Sequence, residues 1–278
     1  MKIDAHQHFW RYNDRDYSWM GPNMQSLKKD RLPADLIPLL AESGIDGTIA
    51  VQARQCIEET QFLLELAGHN SFIKAVVGWV DLCSPKLEMQ LEQFCYHPRL
   101  QAVRHVIHDE PDDRFMMRTD FVHGISRLSK YNLAYELLLF PRHLPIACEL
   151  VGRFPDQTFI LDHIAKPLIK DAKMQPWAGD IRRLAAFPNV SCKISGMVTE
   201  ADRQNFKPED FTPYLDTVLE AFGPERLMIG SDWPVCTLAA EYGRVISIAA
   251  DYIKKLSPGQ QRAISGDNAI RIYQSLTC

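Results

Sequence analysis

The chain has 278 residues, 46% of them hydrophobic, and 31 Lys and Arg against 35 Asp and Glu give a formal charge of −4. That is enough apolar material for one large α/β barrel or two ordinary domains, and the scattered, slightly acidic charge offers no broad attraction to nucleic acid or an anionic membrane. No apolar run approaches the roughly 20 residues of a membrane span, the N-terminus enters a strand with no signal pattern, and the seven cysteines lack a CxxC pair, so a cytoplasmic protein with reduced thiols is expected.

The first element, Lys2 to Trp10, reads as a strand. Side chains two apart on a strand share a face, which groups Asp4, His6 and His8 and separates the two imidazoles by roughly 6.6 Å along the chain. A zinc ion at about 2.0–2.1 Å from each nitrogen would hold such a pair. Strand histidines bonded to backbone or carboxylate are the other reading. Arg11 to Asp30 is aromatic, polar and punctuated by Pro and Gly, too irregular for a regular element. It is expected to be a long loop over the strand end, either a substrate lid carrying Trp19 or a packed crossover.

From Leu32 the apolar spacing is helical, and Gly44 stops it before a β-branched strand, Thr48 to Val51. The alternation continues with a helix near Glu58 to Ala67, strand Ala75 to Val80, a helix near Pro85 to Phe94, and strand Gln101 to Ile107. Next come a helix near Phe121 to Ser129, strand Ala134 to Phe140, a helix near Leu144 to Arg153, and strand Thr158 to Ile164. A helix near Ile181 to Ala186, strand Val190 to Ile194, a helix near Pro213 to Phe222, strand Arg226 to Gly230 and a helix near Tyr242 to Lys254 complete the series. Ser257 to Leu276 reads as a C-terminal helix. Eight strands alternating with helices predict a single-domain (β/α)8 TIM barrel over residues 1–278. A doubly wound sheet normally carries a Gly-rich turn after its first strand, and none is present.

In such a barrel the informative polar residues lie at the C-terminal ends of the strands. Here those are His6 and His8, Arg104, His105 and His108, Asp162, His163 and Lys166, Lys193 and Ser195, and Asp232 followed by Trp233. Glu136 sits inside an apolar run of the fifth strand, where it reads as a structural partner for a neighbouring cation. A buried carboxylate or histidine costs several kcal/mol unless paired, so this convergence needs either mutual satisfaction or a ligand. Asp232 is favoured for function because Gly-Ser-Asp-Trp-Pro places it directly after a strand in a tight turn.

Five stretches together resemble a known family: Asp-Ala-His-Gln-His-Phe-Trp (4–10), Val-Gly-Trp-Val-Asp-Leu (77–82), Leu-Asp-His-Ile-Ala-Lys-Pro (161–167), Cys-Lys-Ile-Ser-Gly-Met-Val-Thr-Glu-Ala (192–201) and Gly-Ser-Asp-Trp-Pro-Val-Cys (230–236). They are similar to the amidohydrolase-related TIM-barrel hydrolases, and more narrowly to the branch of fuconolactonase- and rhamnonolactonase-type sugar lactonases. The resemblance implies that His6, His8 and His163 are metal-site or catalytic histidines and that Asp232 handles the attacking water. Binuclear relatives bring a lysine or glutamate from the fourth strand and a histidine from the fifth. Arg104-His105 and Glu136 stand there in this chain, so a two-metal site is not expected.

The expected function is therefore opening of a small sugar-acid lactone by water. Catalysis falls to Asp232, His163, His6 and His8, and substrate contacts to Arg104, His105, Lys193, Trp233 and Trp19. One divalent metal, zinc first, would be held by His6, His8, His163 and Asp232; a site that works without metal is the alternative. A metal-dependent decarboxylase on the same fold, or a non-enzymatic sugar-binding barrel, are the competing functions.

Overall fold

The computed structural model describes residues 1–94 and 96–274. Eight parallel strands lie in the order β1 to β8, with each strand beside its sequence neighbours. They are β1 Ile3–Gln7, β2 Gly47–Val51, β3 Ile73–Gly78, β4 Leu100–His105, β5 Ala134–Leu137, β6 Phe159–Leu161, β7 Val190–Ile194 and β8 Leu227–Ile229. The ring closes just beyond the strand ends, where Gln7 bridges to Trp233 and the His8 backbone N–H donates to the Trp233 carbonyl at 2.7 Å.

Helices α1 Pro33–Ser43, α2 Ile57–His69, α3 Leu87–Phe94, α4 Thr119–Leu128, α5 Leu144–Gly152, α6 Trp177–Ala185, the short α7 Met197–Glu200, α8 Thr212–Phe222 and α9 Tyr242–Ile253 occupy the connections. A final bent segment comprises α10 Pro258–Arg262, one π turn and α11 Asn268–Gln274. Residues 275 and 276 of the expected terminal helix lie outside the described residues. Among the described residues, no helix is long and apolar enough to cross a membrane. Cys56, Cys83, Cys148, Cys192 and Cys236 are free thiols; Cys95 and Cys278 lie outside the described residues.

Period-two alternation sorts each strand into two cores. Ile49, Val51, Ala75, Val77, Ala102, Ala134, Ile160 and Met228 fill the barrel with Ile3 and Ala5, and Ala269, Ile272 and Tyr273 of α11 close it from below. Alternate residues such as Val76, Val103, Tyr135 and Leu161 join the larger core between barrel and helices.

The pairing of β1 with β2 shifts register between Asp4 and Gln7. One extra residue on β1 reverses the alternation there, as a bulge does. Ile3 and Ala5 face the barrel core, whereas Asp4 accepts hydrogen bonds from Ser231 and from Tyr242 of the outer helix α9. His6 nevertheless turns inward, onto Arg104 and Lys193. The expected shared face of Asp4, His6 and His8 is thereby corrected: Asp4 is a packing carboxylate on the opposite side.

The segment 11–30 is a closed loop. Trp10 and Arg31 exchange backbone hydrogen bonds at 2.9 Å across its ends, and Trp10, Tyr17, Met20 and Leu27 form its own small core. It is packed, as the crossover reading required, and it also walls the barrel mouth, as described below.

Candidate active site

The functional side chains fall just past the strand ends. β6 stops at Leu161, and His163, Ile164, Ala165 and Lys166 then all have positive φ, between 48 and 60°. Asp232, after β8, has φ of 60°. Left-handed backbone is uncommon for non-glycine residues and is a recognised form of strain held by the surrounding structure. It turns His163 and Asp232 towards each other across the mouth. Two glycines make room: a Cβ on Gly196, itself at φ +64°, would lie 2.6 Å from His163 Nδ1, and one on Gly230 would lie 2.7 Å from the His6 Cβ.

Three imidazoles converge on one carboxylate oxygen. From Asp232 Oδ1 the distances are 3.2 Å to His8 Nε2, 3.9 Å to His6 Nε2 and 3.9 Å to His163 Nε2. His8 Nδ1 lies 2.8 Å from the Val51 carbonyl, which can only accept, so Nδ1 carries a proton. A protonated His8 donates its Nε2–H to Asp232 Oδ1 as well, whereas in the neutral ring the Nε2 lone pair faces that oxygen, an arrangement that a cation between them relieves. His163 Nδ1 lies 2.8 Å from Ser195 Oγ. Burial pushes His163 down to about 3 and, with Lys193, holds His6 well below its usual value, so both stay neutral near pH 7. Burial alone would raise Asp232, but the facing His163, His8 and His6 outweigh it and keep the group well below the usual carboxylate range.

Neutral imidazoles and an ionised carboxylate are the protonation states that metal ligands require. Two donor sets come together here: His6, His8 and Asp232, and His6, Asp162 and His163. Tetrahedral zinc with bonds of about 2.0–2.1 Å has ligand atoms roughly 3.4 Å apart, close to the spacings around Asp232 Oδ1. The second set is already neutralised, because Asp162 receives Arg104 Nη1 at 2.9 Å and Lys193 Nζ at 3.1 Å. A cation there would meet two fixed positive charges. The residues therefore fit one divalent ion at the first set, and the fixed cations occupy the region where a second would have to sit.

A cavity of about 420 Å³ opens over this cluster. His8, Arg104, His163 and Asp232 line it, as does Trp19 from the 11–30 loop. His6 lies just beneath, fully buried. Three of the expected substrate-contact residues do not line the cavity. His105 follows inward-facing Arg104, so alternation sends it outwards, where it meets Glu110 at 2.7 Å and stacks on Phe115. Trp233 is 1% exposed and packs edge-on against Phe9. Lys193 faces inward but one layer too deep, with its ammonium 2.7 Å from Glu136 and 3.2 Å from His6 Nδ1. Glu136 is thus the structural partner its position suggested.

Lys166 and His108 reach the cavity, as do Arg54, Asp16, Glu200 and Arg203, which sequence reasoning did not single out. They sit in the connecting loops and on α7, where no strand periodicity marks a direction. Arg54, three residues beyond the end of β2, had the one available signal, a cation just past a strand end.

The eight-stranded barrel and the histidine–carboxylate cluster at the C-terminal ends of its strands define a hydrolase-type TIM-barrel site. Residues 3–274 match the amidohydrolase family model, and the chain belongs to that family. It is 42% identical to an L-fucono-1,5-lactonase of Burkholderia multivorans, over 98% of this chain and 96% of that one. An L-fucono-1,5-lactonase of Burkholderia ambifaria is 36% identical, over 98% and 95% of the two chains. Among solved structures, an amidohydrolase from Burkholderia multivorans with bound zinc superposes with a TM-score of 0.94 at 41% identity, covering 98% of this chain and 99% of that one.

Proposed function

We propose that this protein hydrolyses a sugar-acid lactone to the free aldonic acid, with Asp232 as the general base. The convergence of His6, His8 and His163 on Asp232 Oδ1 carries the reading, and the identity to two L-fucono-1,5-lactonases supports the substrate class. Asp232 is ionised and on the cavity wall, so it can accept a proton from water as the water oxygen attacks the lactone carbonyl carbon. A carbon–oxygen bond forms, the carbonyl becomes an oxyanion, and Arg104, a cation on the cavity wall 3.3 Å from His6 Nε2, is the donor assigned to it. Collapse then breaks the ring carbon–oxygen bond. Asp232 returns its proton to the departing ring oxygen, which becomes a hydroxyl of the product.

His6, His8 and Asp232 would hold one divalent metal, with His163, whose Nε2 lies 3.9 Å from Asp232 Oδ1, as a fourth ligand, zinc being the best match to a nitrogen-rich set. When bound, it supplies a lowered water pKa, towards about 7, and polarisation of the carbonyl. Ser195 and the Val51 carbonyl orient the His163 and His8 rings whether or not metal is present. The test is a panel of aldonolactones in weak buffer, read by acid release. Stoichiometric conversion of one or more supports the reading. Carbon dioxide release from unsaturated or aromatic acids, with lactones untouched, would point to a decarboxylase; binding without turnover would point to a sugar-binding barrel.

A further inference from the structure

Arg54 is held more firmly than a rim cation needs to be for solubility. Glu59, fully buried on α2, accepts Arg54 Nε at 3.1 Å and the Ala53 backbone N–H at 2.9 Å. Asp16, from the 11–30 loop, accepts Arg54 Nη1 at 2.7 Å. The Tyr17 ring lies beside the guanidinium carbon, 5.4 Å from centroid. Three fixed groups therefore immobilise the side chain, while both Arg54 and Asp16 line the cavity over Asp232. A guanidinium has five donors in a fixed fork, and these contacts use only part of it.

The local charge decides what the remaining donors are for. Glu59 and Asp16 are balanced by Arg54 and by Arg15, whose Nε lies 3.0 Å from Asp16 Oδ1, so the cluster has no net positive charge to draw an anion, and an anionic group brought here would meet Asp16 as well as Arg54. A hydroxyl suits both, since its oxygen can accept from Arg54 while its hydrogen goes to Asp16. On the opposite wall Lys166 donates to Glu200 at 2.7 Å, which places a second donor and acceptor together.

We propose that Arg54 and Asp16 form a specificity site that binds one hydroxyl of an uncharged sugar lactone and so selects hydroxylated lactones over plain ones. This rests on the lactonase reading above. The pair is remote in sequence, in the connection between β2 and α2 and in the loop after β1, and it acts only on binding and orientation; no proton moves through it.

The measurement is the ratio of kcat/KM for the best aldonolactone to that for δ-valerolactone, a six-membered lactone with no hydroxyls. Losing one charge-assisted hydrogen bond to a substrate typically costs about 10- to 100-fold. Arg54→Met should lower the ratio by about that factor, mainly through KM for the aldonolactone. Asp16→Asn, which keeps size and part of the hydrogen bonding, should lower it by at least about threefold and stands as the test if Arg54→Met does not fold. A ratio unchanged in the folded variants, or equal losses on both lactones, overturns the proposal and leaves Arg54 as a staple for the 11–30 loop. A wild-type protein that opens neither lactone overturns the lactonase reading itself, and the specificity site with it.

Discussion

At His163 the backbone has φ of 53° and the imidazole is buried, so the residue is both strained and deprived of water. The surrounding protein keeps it neutral down to about pH 3, whereas an unfolded chain protonates it near its ordinary 6.5. Between those values the unfolded state binds more protons, and stability contributed by this residue is lost as pH falls from 6.5 towards 3. Burial pushes Asp4 up to about 6 and Glu136 up to about 7, and these respond in the opposite sense, so the whole-protein curve mixes both. The difference between variants reports the histidine together with its hold on Asp232. Wild type should lose about 1.4 kcal/mol per pH unit more than His163→Asn between pH 6 and 4 in urea unfolding of metal-free protein. Parallel curves for the two would show that His163 is not held neutral by the fold.

The elements show what the sequence could and could not reveal. All eight strands and their order follow from the alternation of β-branched runs with helical spacing, because a parallel barrel buries both strand faces and writes each strand as an apolar run. Direction within a strand was less legible. His105 and Lys193 both lie at or near strand ends, yet one faces the helices and the other the barrel interior. Period two predicts that His105 points away if Arg104 points in. Asp4 was misplaced for a subtler reason, since the register shift in β1 leaves no signature in residue type. The strand expected over Thr158 to Ile164 ends at Leu161, and after Asp162 four consecutive left-handed residues follow, a conformation that Ile164 does not advertise. The 11–30 loop combines both of its expected roles. Its buried Trp10 and Tyr17 hold it in place, whereas Trp19 is 37% exposed and borders the cavity. Trp19→Ala removes an aromatic surface worth roughly 0.5–1.5 kcal/mol of contact, so KM for the lactone should rise about threefold to tenfold. Tm should move by no more than about 2 °C. A large fall in Tm at constant KM would assign Trp19 to the loop's own packing.

Across the whole molecule, polar groups form a continuous column along the barrel axis. Tyr273 of α11 donates to Glu136, Glu136 pairs with Lys193, and Lys193 contacts both Asp162 and His6. Arg104 joins Asp162 to the cavity wall. Breaking a buried pair leaves an uncompensated charge and commonly costs about 3–5 kcal/mol, which explains why each charge in the column has a partner of opposite sign across the barrel interior. The column fixes His6 from below, the strained turns bring His163 and Asp232 in from two sides, and the 11–30 loop roofs the result. Hydrolysis at this site depends on Asp232 as the group that takes the water's proton. Asn preserves its size in the turn but cannot accept that proton at neutral pH. The most direct measurement is kcat of Asp232→Asn on the best aldonolactone, with bound metal quantified and the fold checked by thermal melting. The variant should remain folded and lose at least about 100-fold in kcat; if metal loss is the cause, added zinc should restore part of the rate. Full activity in a folded, metal-free variant would contradict the account and move the base to His163.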